Sequence, residues 1–138
     1  MNRILDESGG RVLAFGAHPD DLEVGAGGLL ARLAEEGAEV TMAVTSVPQQ
    51  NAERGDEARA GAAVLGAKDL FILYEEPPCR VEDIPMYELV RRFDQLVGDV
   101  RPDLVITHSA HDLHWDHSLV NRATVSALRR TPGLRRTP

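Results

Sequence analysis

Short apolar runs alternate with longer amphipathic stretches along the chain, and that alternation restricts the fold more than any other feature. RVLAFGA at 11–17 reads as a buried strand, and residues 22–36 carry Leu22, Leu29, Leu30 and Leu33 at helical spacing until Gly37 stops them. AEVTMAVT at 38–45 and the alanine-rich 52–65, closed by Gly66, repeat the pair. DLFILY at 69–74 is a third strand, followed by the proline-rich loop EEPPCR. A third helix is expected over 83–98, with Pro85 in its first turn and Ile84, Tyr87, Leu89, Val90, Phe93, Leu96 and Val97 along its apolar face. Pro102 precedes the fourth strand, DLVITH at 103–108, and the last helix runs from about Asp116 to Arg130. Helices between short apolar strands are the pattern of a parallel sheet covered on both faces and joined by right-handed crossovers. The expected class is α/β, a Rossmann-like parallel sheet in three α/β/α layers. With strand order 3-2-1-4 the winding reverses between strands one and four, and a crevice opens at their carboxyl ends.

Those two ends carry the chemistry. The loop after strand one, AHPDDLEVGAGG, gathers His18, Asp20, Asp21 and Glu23; the segment THSAHDLHWDH after strand four gathers His108, His111, His114, His117, Asp112 and Asp116. A lone His before Pro is usually a structural loop residue, but a second His/Asp cluster at the position facing the first makes a site the better reading. Imidazole and carboxylate are the ligands of catalytic zinc, which takes three protein groups and keeps one position open. His18 and Asp21, three apart on a turn entering a helix, can face one ion, and His117 can complete the set. Asp20 beside them suits a general base. His108, at the end of a strand, reads as a buried supporting histidine rather than a ligand. His111 reads as a supporting residue or a substrate contact.

Other classes find little support. Gly25, Gly27 and Gly28 lack the order and position of a dinucleotide fingerprint, and are expected instead to let the first helix pack closely on the sheet near Ala14 and Ala17. No Ser or Cys sits in a nucleophile elbow. A formal charge of -7 would repel a phosphate backbone, and the one basic cluster, Arg129, Arg130, Arg135 and Arg136, reads as a solvated helix end, so no nucleic-acid partner is expected. A single cysteine, Cys79, fits a reducing compartment. No leader or membrane-spanning run is visible, which makes a cytoplasmic location without membrane association the expectation.

Ala17 to Gly28 reads A-H-P-D-D-x-E-x-G-x-G-G without a gap, and H-x-D-H at His114 to His117 follows R-P-D-x-V-x-T-H at Arg101 to His108. In these two motifs the chain resembles the LmbE-like or PIG-L-like zinc-dependent N-acetylglucosaminyl deacetylases. The resemblance implies His18, Asp21 and His117 as zinc ligands and Asp20 as the base that activates water. It implies His114 as the donor to the oxyanion, Asp116 as the orienting partner of His114 or of a ligand histidine, and Arg54, in R-x-x-E with Glu57, as a substrate contact. Two departures stand out: TSVPQQN replaces the family's usual polar turn after strand two, and family members usually exceed 200 residues.

The expectation is therefore a single domain over 1–138, the N-terminal portion of the family fold, with 131–138 as a flexible tail or truncation point. Its function would be zinc-dependent hydrolysis of the acetamide of a small-molecule amino-sugar conjugate, with Fe²⁺ or another divalent metal as substitutes for zinc and a homo-oligomer admitted. The competing class is a non-enzymatic, metal-dependent sugar-binding or regulatory module.

Overall fold

The structure is a computed structural model, in which Leu5 and residues 9–49 and 52–129 are described. The elements in order are β1 (Arg11–Gly16), α1 (Asp21–Glu35), β2 (Glu39–Ser46), α2 (Ala52–Leu65), β3 (Asp69–Tyr74), a 3-10 turn (Val81–Asp83), α3 (Met86–Val100), β4 (Leu104–Ile106) and α4 (Trp115–Leu128). The strands pair in parallel in the order β3-β2-β1-β4, as the sequence led us to expect.

Alternation along the central strands builds two cores. Val12, Ala14, Val40 and Met42 face Leu22, Leu30 and Leu33 of α1 and Ala62 of α2. Leu13, Phe15 and Ala43 face the opposite layer, with Leu89, Phe93, Leu96 and Val97 of α3 and Val120, Ala123 and Ala127 of α4. Phe15 stacks on Phe93 with ring centroids 4.2 Å apart and planes 16° from parallel. Phe15 and Phe93 are the largest fully buried side chains among the described residues, and their pairing joins the sheet to α3.

R-P-D sets β4 beside β1. Arg101 ends α3 in the left-handed region (φ 50), and its amide closes the last turn on the Val97 carbonyl. Asp103 then grips Arg11 from both sides, its carboxylate accepting the Arg11 amide at 2.8 Å and its amide donating to the Arg11 carbonyl at 2.8 Å. The switch point between β1 and β4 is thereby fixed.

Three expectations change. Helix α3 begins at Met86 rather than 83, because Ile84 precedes proline and is extended (φ -94, ψ 126), which separates the Val81–Asp83 turn from the helix. Strand β4 is three residues long, and Thr107 and His108 lie beyond it. Asn121 of α4 donates to the His108 carbonyl at 2.7 Å, which occupies a backbone acceptor that strand pairing would otherwise use, and the Thr107 and Thr124 hydroxyls bond each other at 3.1 Å. The glycines of α1 do not serve close packing on the sheet. Gly25 and Gly28 face open space, the nearest side chain to a Cβ on Gly27 would be Leu65 of α2 at 3.7 Å, and the sheet-facing positions belong to Leu22, Leu30 and Leu33. Arg130 and residues 131–138, the expected helix end and tail, lie outside the described residues. Among the described residues no helix is long and apolar enough to cross a membrane.

Candidate metal centre

At the carboxyl end of β1, Pro19 keeps His18 out of helical geometry, and Asp20 turns the chain in the left-handed region (φ 80) before α1 starts at Asp21. That backbone conformation is uncommon for a residue with a side chain, and aspartate is among those that tolerate it. Asp20 occupies the N-cap position, yet its carboxylate makes no capping hydrogen bond. It meets Arg54 Nη2 at 3.6 Å instead, while the same nitrogen donates to the Pro19 carbonyl at 3.4 Å. Asp21 turns inward, and its Oδ2 accepts the His18 amide at 2.8 Å.

From the other side, the loop after β4 and the first turn of α4 supply the remaining histidines. Asp112 organises this loop: Oδ1 accepts the His114 amide at 2.9 Å and Oδ2 bonds His117 Nδ1 at 3.0 Å. Asp116, buried, bonds His18 Nε2 at 2.7 Å and also accepts the amides of Val81 at 3.2 Å and Glu82 at 3.1 Å. His108, His117 and His114 form a stack, with centroids 3.9 Å and 4.4 Å apart and planes within 12° and 15° of parallel.

Ionised carboxylates only accept, so each of these imidazoles presents a proton to the carboxylate behind it. His18 donates from Nε2 to Asp116, and its Nδ1 lies 3.6 Å from Asp21 Oδ2. His117 donates from Nδ1 to Asp112, and its Nε2 lies 3.2 Å from the same Asp21 oxygen. Two ring nitrogens thus converge on one carboxylate oxygen, each on an imidazole held from behind by a second carboxylate, the support that histidine ligands of divalent metals use. His108 Nε2 already accepts the Ala17 amide at 2.9 Å, so its lone pair is committed even though it comes within 3.5 Å of Asp21. His114 accepts the Asp116 amide on Nδ1 at 3.2 Å, which leaves a proton on Nε2 for donation. By distance alone, nitrogens of His18, His114 and His117 lie within 4.8 Å of one another, as do ligand atoms of Asp21, His108 and His117. Neither group is the expected set of His18, Asp21 and His117, which is divided between the two with His117 common to both.

Burial works to raise the Asp21 carboxyl, but the His108 ring, the His18 amide and the rings of His117 and His18 outweigh it and hold the group below its ordinary 3.8. The His114 amide, and then His117, likewise lower Asp112. Burial raises Glu23 in α1, and one of its oxygens is enclosed without a partner.

A cleft of about 340 Å³ opens over the cluster, lined by His18, Pro19, Asp21, Val47, Pro48, Gln49, Arg54, Arg80, His114, Asp116 and His117. That volume falls within the roughly 300–1,000 Å³ usual for small-molecule sites. The divergent loop after β2 forms one wall through Val47, Pro48 and Gln49. Arg54 pairs with an acidic neighbour and lines the cleft as well, and the neighbour is Asp20. His111 is exposed and does not line this cleft; its amide donates to Ser109 Oγ at 3.1 Å. Glu57 is exposed. Two residues gain roles that sequence reasoning missed. Asp112 was visible only as one acid among several, although an acid five residues before a histidine at a helix start can reach back to it. Arg80 sits in a loop whose path no local pattern reveals.

The chain matches the family described as PIG-L, GlcNAc-PI de-N-acetylase, over residues 13–128. It is 30% identical to the uncharacterized deacetylase YaiS of Escherichia coli (strain K12) over 88% of this chain and 69% of that protein. It is 28% identical to a probable N-acetyl-alpha-D-glucosaminyl L-malate deacetylase 2 of Bacillus cereus over 88% of this chain, and spans 62% of that protein. Among solved structures, the conserved protein TT1542 from Thermus thermophilus superposes with a TM-score of 0.73 at 28% identity, over 92% of this chain and 60% of that one. On the family match over most of its length, the chain belongs to the PIG-L/LmbE-like deacetylase family.

Proposed function

We propose that this chain carries the metal-binding part of the active site of a cytoplasmic hydrolase that removes the acetyl group from an N-acetylated amino-sugar conjugate, releasing acetate and a free amine. The observation that carries this reading is the convergence of His18 Nδ1 and His117 Nε2 on Asp21 Oδ2. Those three residues would hold a divalent ion, Zn²⁺ by the donor set, with Fe²⁺ or another divalent metal able to replace it. When bound, the ion supplies a Lewis acid for the amide carbonyl and lowers the pKa of a water.

The remaining steps belong to side chains. Asp20, free of any capping duty, takes the proton from the attacking water and returns it to the departing nitrogen. His114 donates from Nε2 to the oxyanion that develops on the carbonyl. Asp116 and Asp112 orient His18 and His117 so that Nδ1 and Nε2 face Asp21. Arg54 pairs with Asp20 at 3.6 Å and lines the cleft, where it can contact a sugar hydroxyl.

His117→Ala tests the reading. With one of three protein ligands gone, metal content by mass spectrometry and amine release from N-acetylglucosamine conjugates should fall together, and excess metal should restore them only in part. Unchanged metal content would remove His117 from the site. A metal-replete protein that binds aminosugars and releases no amine would instead favour the binding-module reading.

A further inference from the structure

Among the described residues β3 stands at one edge of the sheet, with β2 on its inner side and no strand on its outer side. In a parallel ladder the amide and carbonyl of one residue point to the same side, and successive residues alternate between the two sides. The Lys68 amide bonds the Val40 carbonyl at 2.8 Å and the Tyr74 carbonyl accepts the Val47 amide at 3.2 Å, so the even-numbered residues face β2. Asp69, Phe71 and Leu73 therefore turn their backbone groups outward. Edge strands are usually blunted by charge, proline or short length. DLFILY has six residues, no proline and one charge, at its first position.

The side chains add a pattern to that edge. Leu70 packs on the core under α1 and α2, and Leu73 on the core under α3 and α4. Asp69 and Phe71 share the Leu73 side, where they line an open cavity of about 610 Å³ with Thr41 and Leu96, and Phe71 is 43% exposed. Arg92 reaches the same side from α3. Its Nη2 donates to the outward Leu73 carbonyl at 3.3 Å, and its guanidinium carbon lies 5.3 Å from the centre of the Tyr74 ring. Among the described residues neither Asp69 nor Arg92 has an ion-pair partner. Asp69 and Leu73 are spaced equally on either side of Phe71. A twofold axis at Phe71 sets Asp69 of each strand opposite Leu73 of the other, and hence beside the other chain's Arg92. An unrelated extended segment could take the backbone bonds, but a second copy also supplies the opposite charge at both ends.

We infer that β3 pairs antiparallel with β3 of a second copy of this chain about a twofold axis at Phe71, so that the two sheets become one. Phe71 exchanges amide-to-carbonyl bonds with its own counterpart, and Asp69 does so with Leu73 of the second copy, whose carbonyl keeps a lone pair beside its bond to Arg92. The two Phe71 rings meet across the strands, and each Asp69 carboxylate pairs with the other chain's Arg92. Sedimentation of the unmutated chain at tens of micromolar should show a dimer. Asp69→Arg sets arginine against arginine at both ends and Arg92→Glu sets acid against acid, so each should weaken association about tenfold or more. The double variant restores opposite charges and should dimerise as the unmutated chain does. An equimolar mixture of the two single variants restores them too, and should form a heterodimer. Amide hydrogen exchange, which needs no variant, reads the register: Phe71 and Leu73 should be protected at dimer-forming concentrations and exchange faster on dilution. A monomer at tens of micromolar, a dimer that neither single variant weakens, or a Phe71 amide that exchanges freely in the dimer overturns the inference. So does a mixture that fails to associate when both single variants keep the circular dichroism of the unmutated chain.

Discussion

At the scale of single residues, the centre is a set of imidazoles whose orientations are set by their neighbours. Asp112 is the clearest case, since one oxygen holds the loop at the His114 amide and the other orients His117. Asp112→Ala should therefore weaken metal binding by about 10- to 100-fold, the usual effect of losing a carboxylate behind a ligand histidine, as read by competition with a chelator. Affinity equal to that of the unmutated protein would show that His117 holds its orientation without help. Asp112 also predicts an acid limb. Its carboxyl is lowered in the folded chain, so its stabilisation is present above the ordinary value of 3.8 and is lost as pH falls through the lowered one. The stability difference between the unmutated protein and Asp112→Asn in urea should accordingly shrink below about pH 4. A gap that stays constant down to about pH 2.5 would contradict the assignment.

At the scale of elements, Phe93 of α3 stacked on Phe15 of β1 joins the helix to the sheet beneath the site. Phe93→Ala should cost about 3–5 kcal/mol in urea unfolding, and a loss under about 1 kcal/mol would mean that α3 docks by other contacts. The strand and helix alternation was legible because Val12 to Phe15 and Val40 to Val44 are buried on both faces, which leaves near-continuous apolar runs in the sequence. The start of α3 was misplaced because the apolar face continues through Ile84, while the proline after it breaks the helix. The end of β4 was misplaced because Asn121, thirteen residues later, claims the His108 carbonyl. His18, Asp21 and His117 were legible because chemistry limits which side chains can share an ion. Arg80 was not, because it reaches the cleft only through the bonds of Val81 and Glu82 to Asp116, a contact across 34 residues and more.

At the scale of the whole molecule, both cores are built from apolar side chains and include none of the cluster's histidines, so the chain should fold without metal and gain stability from it. At metal concentrations near a thousand times Kd the gain is about 4 kcal/mol, which corresponds to a rise in Tm on the order of 10 °C, and a chelator should remove it reversibly. A chain unfolded by the chelator would show that the centre is part of the core. The central claim is that Asp20 is the base beside a metal held by other residues, and Asp20→Asn addresses it most directly. Asparagine keeps the size of the side chain and tolerates the left-handed backbone at this position, but it cannot take a proton. The paired measurement is metal content by mass spectrometry and steady-state amine release, made on a preparation that is active when unmutated. The expected result is unmutated metal occupancy with turnover reduced by roughly 10²- to 10⁴-fold. Turnover at the unmutated rate with the same occupancy would contradict Asp20 as the base, even with the metal ligands correctly assigned.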